Sequence, residues 1–340
     1  MAQSEILEAL KKGTLVSKLS KQVGQDFHQN HVKFLYDEWR GNRLIVERKW
    51  GDTVTIPTSI MYSSSECLLP DDFIQLKAVE NIQAIKIATW NVNSIRVRLP
   101  LLLSWLAEQK PDIVCLQETK VEDYQFPEQE LREVGYHSVY HGQKSYNGVA
   151  VLSKLPFERV QYGFHSGYDA ENKRLIIAVI EGINIINVYV PQGQSSDSPK
   201  FQYKLEFLNQ LLNEITSTFN PKDQVVLLGD INIAPEDRDV VSAEAMEGLV
   251  SFHPKEHAFL NQLKNWGLVD VYRNFHTEDK LYSWWDFRTR GFEKNEGMRI
   301  DHVWVSKPIA NRCDSCVIDT NNRSQAKPSD HAPVICNVKV

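Results

Sequence analysis

The sequence predicts an α/β protein: a four-layered sandwich in which two packed mixed β-sheets are flanked by helices, preceded by a small α+β extension. Three observations lead there. From about residue 83 onward, short apolar strands alternate with amphipathic helical stretches. Residues 174–180 and 183–190 are joined by Glu181-Gly182 alone and read as an antiparallel hairpin, so a purely parallel, doubly wound sheet fits less well. The first eighty or so residues follow a different pattern, which sets them apart as a unit.

Taken in order, residues 5–23 have the pattern of an amphipathic helix interrupted at Lys12-Gly13. Residues 31–39, 43–50 and 53–57 then alternate apolar and polar side chains, with breaks at Arg40-Gly41-Asn42 and Gly51-Asp52, the pattern of a small antiparallel meander. Loop-forming residues follow at 63–66 and 70–72, which gives two domains, 1–82 and 83–340. The nearly balanced charge of the first domain identifies no partner. It is read as a docking module, an extension of nucleic-acid contact or a structural cap. In the second domain, residues 86–90, 112–116 and 224–228 are strands, Leu99, Leu102, Leu103 and Leu106 mark one helix, and Leu205, Leu208, Leu211, Leu212 and Ile215 mark another.

Composition narrows the class. With 42% apolar and 24% charged residues over 340 positions the chain can bury a large core, and no run approaches the roughly 18 apolar residues of a membrane span. The N-terminus lacks a basic segment followed by an apolar one, so a cytoplasmic location is expected, without membrane partners. Five cysteines, an odd number, fit a reducing compartment, and the lone Cys313-Asp-Ser-Cys316 reads better as two thiols near a strand than as a zinc site. A net charge of −6 speaks against non-specific adhesion to nucleic acid, though a local basic rim around an acidic site would still permit a DNA enzyme.

Polar residues cluster where the apolar strands stop: Asn91 and Asn93, then Gln117-Glu118-Thr119, then Asp230 and Asn232, and finally Asp330-His331 before 332–336. Any one of these could be a cap. Strand ends on one rim of a sheet sandwich converge, however, so four such groups imply one oxygen-rich pocket with a single imidazole. Carboxylate and carboxamide oxygens without thiolate select a hard divalent cation such as Mg²⁺. Phosphodiester hydrolysis also needs an activated water and donors on the phosphoryl oxygens, and this inventory contains both. Asp301 lies inside the apolar run 297–305, where an unpaired carboxylate would cost several kcal/mol. His331 is its natural partner, since a carboxylate on one ring nitrogen fixes the tautomer, and Arg299 is the alternative.

These residues resemble a known family. Over about residues 85–340 the chain resembles bacterial exodeoxyribonuclease III, the Mg²⁺-dependent abasic-site endonucleases of the superfamily that includes DNase I. The resemblance rests on Thr89-Trp-Asn-Val-Asn93, Leu116-Gln-Glu-Thr-Lys120, Tyr140-His-Gly-Gln-Lys144, Asn187-Val-Tyr-Val-Pro-Gln-Gly193, Leu228-Gly-Asp-Ile-Asn-Ile233, Ser283-Trp-Trp-Asp-Phe287, Met298-Arg-Ile-Asp301 and Ser329-Asp-His331. It implies a DNase I-like sandwich and a DNA-repair nuclease that cuts 5′ to abasic sites and trims 3′ ends of double-stranded DNA, with Mg²⁺ or, as a substitute, Mn²⁺. By position, Glu118 would be the main metal ligand, with Asn91 beside it and Asp330 nearby. Asp230 would activate water and Asn232 steady it; Tyr189 and His331 would donate to the phosphate, with Asp301 behind the imidazole. Arg174 would contact phosphate, and Trp284, Met298 and Ile300 would line a pocket for a flipped baseless sugar. One of the two adjacent tryptophans, Trp284 and Trp285, would instead be a core aromatic, because strand alternation sends neighbours to opposite faces. Asn93 stands where some relatives carry a carboxylate, which puts a second metal position in question. The competing readings are a phosphodiesterase for RNA or a small phosphate ester, and a non-catalytic nucleic-acid-binding module.

Overall fold

A computed structural model describes residues 84–339 throughout and, before them, the backbone of three short strands. Contacts divide the chain into Met1–Gln83 and Ala84–Val340. In the first unit β1 (Asp37–Arg40), β2 (Arg43–Glu47) and β3 (Thr53–Pro57) form an antiparallel sheet in sequential order, in the segment where alternation predicts a meander. The helix expected over 5–23 lies outside the described residues.

The second unit holds two six-stranded sheets. One runs β12 (Leu268–Asp270), β15 (Asp301–Ser306), β11 (Val225–Asp230), β10 (Ile183–Tyr189), β9 (Leu175–Ile180), β8 (Arg159–Tyr162). The other runs β16 (Cys313–Ile318), β17 (Val334–Lys339), β4 (Ala84–Asn91), β5 (Ile113–Gln117), β7 (Val149–Ser153), β6 (His137–His141). Each contains a single parallel pair, β10 with β11 and β4 with β5, so both sheets are mixed. A two-stranded ribbon, β13 (Trp284–Trp285) with β14 (Gly297–Met298), completes the strands.

Side-chain alternation builds the four layers. Ala88, Trp90, Val114 and Leu116 pack outward on Leu102, Trp105 and Leu106 of the helix Ile95–Gln109. On the other sheet, Ile186, Val188, Val225 and Leu227 pack on Phe207, Leu208, Leu211 and Ile215 of the helix Pro199–Thr218 and on Leu260 and Leu263 of the helix Pro254–Trp266. The opposite strand faces meet each other, and a buried polar network spans them. Gln117 Nε2 donates to Thr89 Oγ1 at 2.9 Å and to Asn187 Oδ1 at 2.7 Å, while Asn187 Nδ2 donates to the carbonyls of Leu116 and Ala150. Breaking one of these bonds would leave a buried donor unpaired at about 1–3 kcal/mol, so they fix how one sheet lies on the other beneath the strand ends, although Gln117 Oε1 itself has no partner.

Two sequence readings are revised. The run 297–305 is not one strand: it pairs with β13 through Met298, leaves the ladder at Arg299 and Ile300, and resumes as β15. At the break the Arg299 amide donates to the Asp239 carbonyl, and its buried guanidinium binds Asp239 and Asp270, so Arg299 is not the partner of Asp301. Cys313 and Cys316 lie on β16 as free thiols, and the Cys313 sulfur is 3.5 Å from that of Cys336 on the neighbouring strand. Among the described residues, no helix is long and apolar enough to cross a membrane.

Candidate active site

Strand order brings the polar ends together. The parallel register places Asn91 beside Gln117, and Tyr189 beside Asp230, at the C-terminal rims of the two sheets. Antiparallel β15 begins at that rim with Asp301 opposite Asp230, and antiparallel β17 is entered there through Asp330 and His331, His331 bridging to Trp284. Gly229 makes the β11 end possible: its φ is +141°, and a Cβ would run into the Val188 carbonyl oxygen. Glu118 and Asn232, one and two residues past their strands, adopt left-handed backbone with φ of 51° and 54°, which turns the chain along the rim.

At the centre, one ligand atom each from Glu118, Asp230 and His331 lies within 4.8 Å of the others. Asn91 joins two of them, its Nδ2 donating to Glu118 Oε1 and to Asp230 Oδ2 at 2.8 Å each. The second Glu118 oxygen pairs with Lys120 Nζ at 2.7 Å. Burial works against the charge on Glu118, yet Lys120 and Asn91 hold its carboxyl below the usual range, so it is ionised. Asp230 is buried, and desolvation together with the charges of Asp301 and Glu118 pushes its carboxyl up, with the imidazolium of His331 as the main opposing influence. His331 Nδ1 lies 2.9 Å from Asp301 Oδ2, and Nε2 lies 3.7 Å from Asp230 Oδ2. Burial alone would lower the imidazole's pKa; Asp301 and Asp230 overcome it and carry the group up to about 10. Ser283 Oγ donates to the same Asp301 oxygen at 2.7 Å and accepts from the amides of Ile300 and Asp301, so the carboxylate cannot swing away from the ring.

The remaining expected residues surround this centre. The Tyr189 hydroxyl is buried near Glu118 and Asp230, and burial followed by those two charges raises its pKa well above the ordinary value, keeping it protonated. Arg174 stacks its guanidinium 4.6 Å above the Tyr189 ring. Asn232 donates from Nδ2 to the Val190 carbonyl, and its own amide donates to Asp230 Oδ1 at 3.0 Å. Asp330 is tied by Asn93 Nδ2 at 2.9 Å and by Trp284 Nε1 at 3.0 Å, and its carboxyl is held below the usual range: burial opposes this, and His331 and these two donors prevail. Half-buried Trp284 and Met298 cluster with Ile300, Val240 and Phe252, whereas Trp285 faces the other way onto Tyr282 and Ala332. The alternation expected for the tryptophan pair is therefore observed.

Sequence reasoning missed several contributors. Lys120 bridges Glu118 and Asn93, donating to Asn93 Oδ1 at 2.6 Å; its place two residues after Glu118, beyond a strand end, was the available signal. Lys204 was hidden in a helical pattern. It is fully buried, ion-paired with Glu256, and donates to the carbonyls of Asn232 at 2.7 Å and Gln192 at 3.2 Å.

The profile of the endonuclease/exonuclease/phosphatase family matches residues 88–331, which include every residue of this site. The chain belongs to that family. Among its relatives, exodeoxyribonuclease III of Haemophilus influenzae is 35% identical over 267 residues, covering 75% of this chain and 100% of the relative. An AP endonuclease from Archaeoglobus fulgidus superposes with a TM-score of 0.72 at 41% identity, again over 75% of this chain and all of the other. A 3′ phosphatase from Neisseria, solved with a product DNA hairpin, gives a TM-score of 0.72 at 37% identity and the same coverage. As in this family of metal-dependent nucleases, the donor set suits a cation: an ionised carboxylate, Glu118, and a second carboxylate, Asp230, within reach of one point that is rich in oxygen and free of thiolate, with the His331 imidazolium beside them as a donor to an anion.

Proposed function

We propose that this DNA-repair nuclease hydrolyses the phosphodiester 5′ to abasic sites in double-stranded DNA and also removes nucleotides or blocking groups from 3′ ends, with Mg²⁺ as its metal and Mn²⁺ as a substitute. The observation that carries the reading is the convergence of Glu118, Asp230 and His331 beside an apolar cluster whose half-buried Trp284 is hydrogen-bonded to Asp330.

Glu118 would hold the cation, with Asp230 and Asp330 beside it. Asn91, as placed, serves Glu118 and Asp230 as a donor. When bound, such a cation polarises the phosphoryl group and offsets charge building on the leaving oxygen. Asp230 accepts a hydrogen bond from the attacking water and takes its proton, and Asn91 and Asn232 fix the direction of that carboxylate. His331, locked by Asp301 through Nδ1, presents Nε2–H and a positive charge to a non-bridging oxygen. The protonated Tyr189 hydroxyl donates to the same phosphate, and Arg174 adds a charge beside it. A baseless sugar costs little to extrude, and a cavity bounded by Trp284, Met298 and Ile300 excludes a full nucleotide by volume. The free thiols of Cys115, Cys313, Cys316 and Cys336 fit a reducing, cytoplasmic setting.

The test is an end-labelled duplex with one abasic site, assayed beside an intact duplex and an intact RNA strand. Incision at the lesion alone supports the reading. Preferential cleavage of RNA would replace it with an RNA phosphodiesterase, and binding without any product would leave a non-catalytic module.

A further inference from the structure

The turn 328–331, which carries Asp330 and His331, makes no backbone hydrogen bond within itself. Its four consecutive carbonyls are instead each held by a donor from a different part of the fold. Pro328 O accepts from Arg98 Nη2 at 2.8 Å and Nε at 3.2 Å, and Ser329 O accepts from Arg323 Nη1 at 2.5 Å. Asp330 O accepts from the Trp285 amide at 3.1 Å, and His331 O from Trp90 Nε1 at 3.1 Å. Within the turn the His331 amide donates to Ser329 Oγ at 3.2 Å, and the rest of its backbone is fixed from outside by these donors.

Neither arginine is free to meet substrate. Arg98 Nη1 also donates to the Asn93 carbonyl at 2.8 Å, so all three of its guanidinium nitrogens are engaged on backbone oxygens. Arg323 is 7% exposed and is covered by the rings of Trp285, Phe287 and Phe292, with centroids 5.7, 4.8 and 5.0 Å from its guanidinium carbon. A planar fork reaching two loops at once is work for arginine, since a lysine ammonium is a single point of charge. Arg98 joins the loop of Asn93, itself a donor to Asp330, to the loop of His331.

We propose that Arg98 and Arg323 are positioning residues for phosphodiester hydrolysis, acting through the turn 328–331; this rests on the roles given above to Asp330 and His331. Displacing the turn by a fraction of an ångström would move the His331 ring relative to Asp301 and to the phosphate without altering any group that touches DNA.

The experiment compares full-length Arg98→Met, Arg98→Lys, Arg323→Met and His331→Asn for kcat and KM on the abasic duplex, for thermal unfolding, and for the His331 Nδ1–H proton signal by NMR in metal-free protein. The expected result for Arg98→Met is a kcat lower by roughly 10–100-fold with little change in KM, a shifted or broadened imidazole signal, and partial recovery in Arg98→Lys. Folded Arg98→Met with native kcat and a native imidazole signal would overturn the proposal. So would a lowered kcat with an unchanged signal, which would mean direct action on substrate. Should Arg323→Met fail to fold, half-buried Arg98 decides the matter. Full turnover by His331→Asn would instead refute the role of His331 itself, a result separable from the others.

Discussion

Replacing Asp301 with asparagine removes one negative charge from a fully buried position while keeping the side chain's shape. In the native protein burial disfavours the His331 imidazolium, and Asp301, then Asp230, reverse this and carry the pKa from 6.5 to about 10. Asp301 is the larger of the two influences, so its loss should carry His331 back toward the ordinary value. The sign is fixed: a group with a raised pKa is cationic through the neutral range and loses its charge as pH climbs through the folded value. With a value of about 10, roughly nine-tenths of the enzyme is in the imidazolium form at about pH 9, and any fall in that value lowers the fraction, by about half for the first pH unit lost and approaching about tenfold per unit thereafter. Turnover at that pH should therefore fall severalfold from protonation alone, whereas near pH 6 the variant-to-native ratio reports only the lost orientation of the ring. The acid limb, set by Asp230, should also move down, since Asp301 is one of the charges that push that carboxyl up. The assay is a kcat profile from about pH 5 to 10 at saturating Mg²⁺. An alkaline limb unmoved in folded Asp301→Asn would refute the coupling.

Three further outcomes are expected. Glu118→Gln should weaken Mn²⁺ binding, read by calorimetry without substrate, by more than about tenfold, and cut turnover by several orders of magnitude with the fold intact. Met298→Ala should lower kcat/KM on the abasic duplex by about 10-fold and narrow the preference over an intact duplex, since the wall formed with Trp284 and Ile300 recedes. Gly229→Ala combines a positive-φ penalty with a collision against the Val188 carbonyl and should cost more than about 2 kcal/mol, read as a fall in Tm.

Much of this site was legible because its constraints are local or forced. A carboxylate in an apolar run must find a partner, which points Asp301 to His331, and alternation separates Trp284 from Trp285 without any knowledge of the fold. Strand ends gather on one rim in any sandwich of this kind, so Asn91, Glu118, Asp230 and His331 could be grouped from strand boundaries alone. What stayed hidden depends on distant pairings that leave no periodic trace. Arg299 looked available to Asp301 two residues away, yet it binds Asp239, 60 positions earlier, and Asp270, 29 earlier, at the point where the strand that apolarity suggested is interrupted. Lys204 resembles any solvated lysine of an amphipathic helix; only the folded structure shows it buried against Glu256 and holding the Asn232 carbonyl. The donors on the turn 328–331 come from β4, β13 and two other segments, and backbone carbonyls carry no sequence signature.

The most direct measurement of the central claim is incision of a labelled abasic duplex by the full chain with Mg²⁺, after removal of metal with EDTA, and after Mg²⁺ is restored, run beside Asp230→Asn. Incision 5′ to the lesion, abolished by EDTA, recovered with Mg²⁺ and missing from the folded variant is the result expected. Incision that survives EDTA, or full activity in Asp230→Asn, would contradict the assignment of these residues to one metal-assisted site.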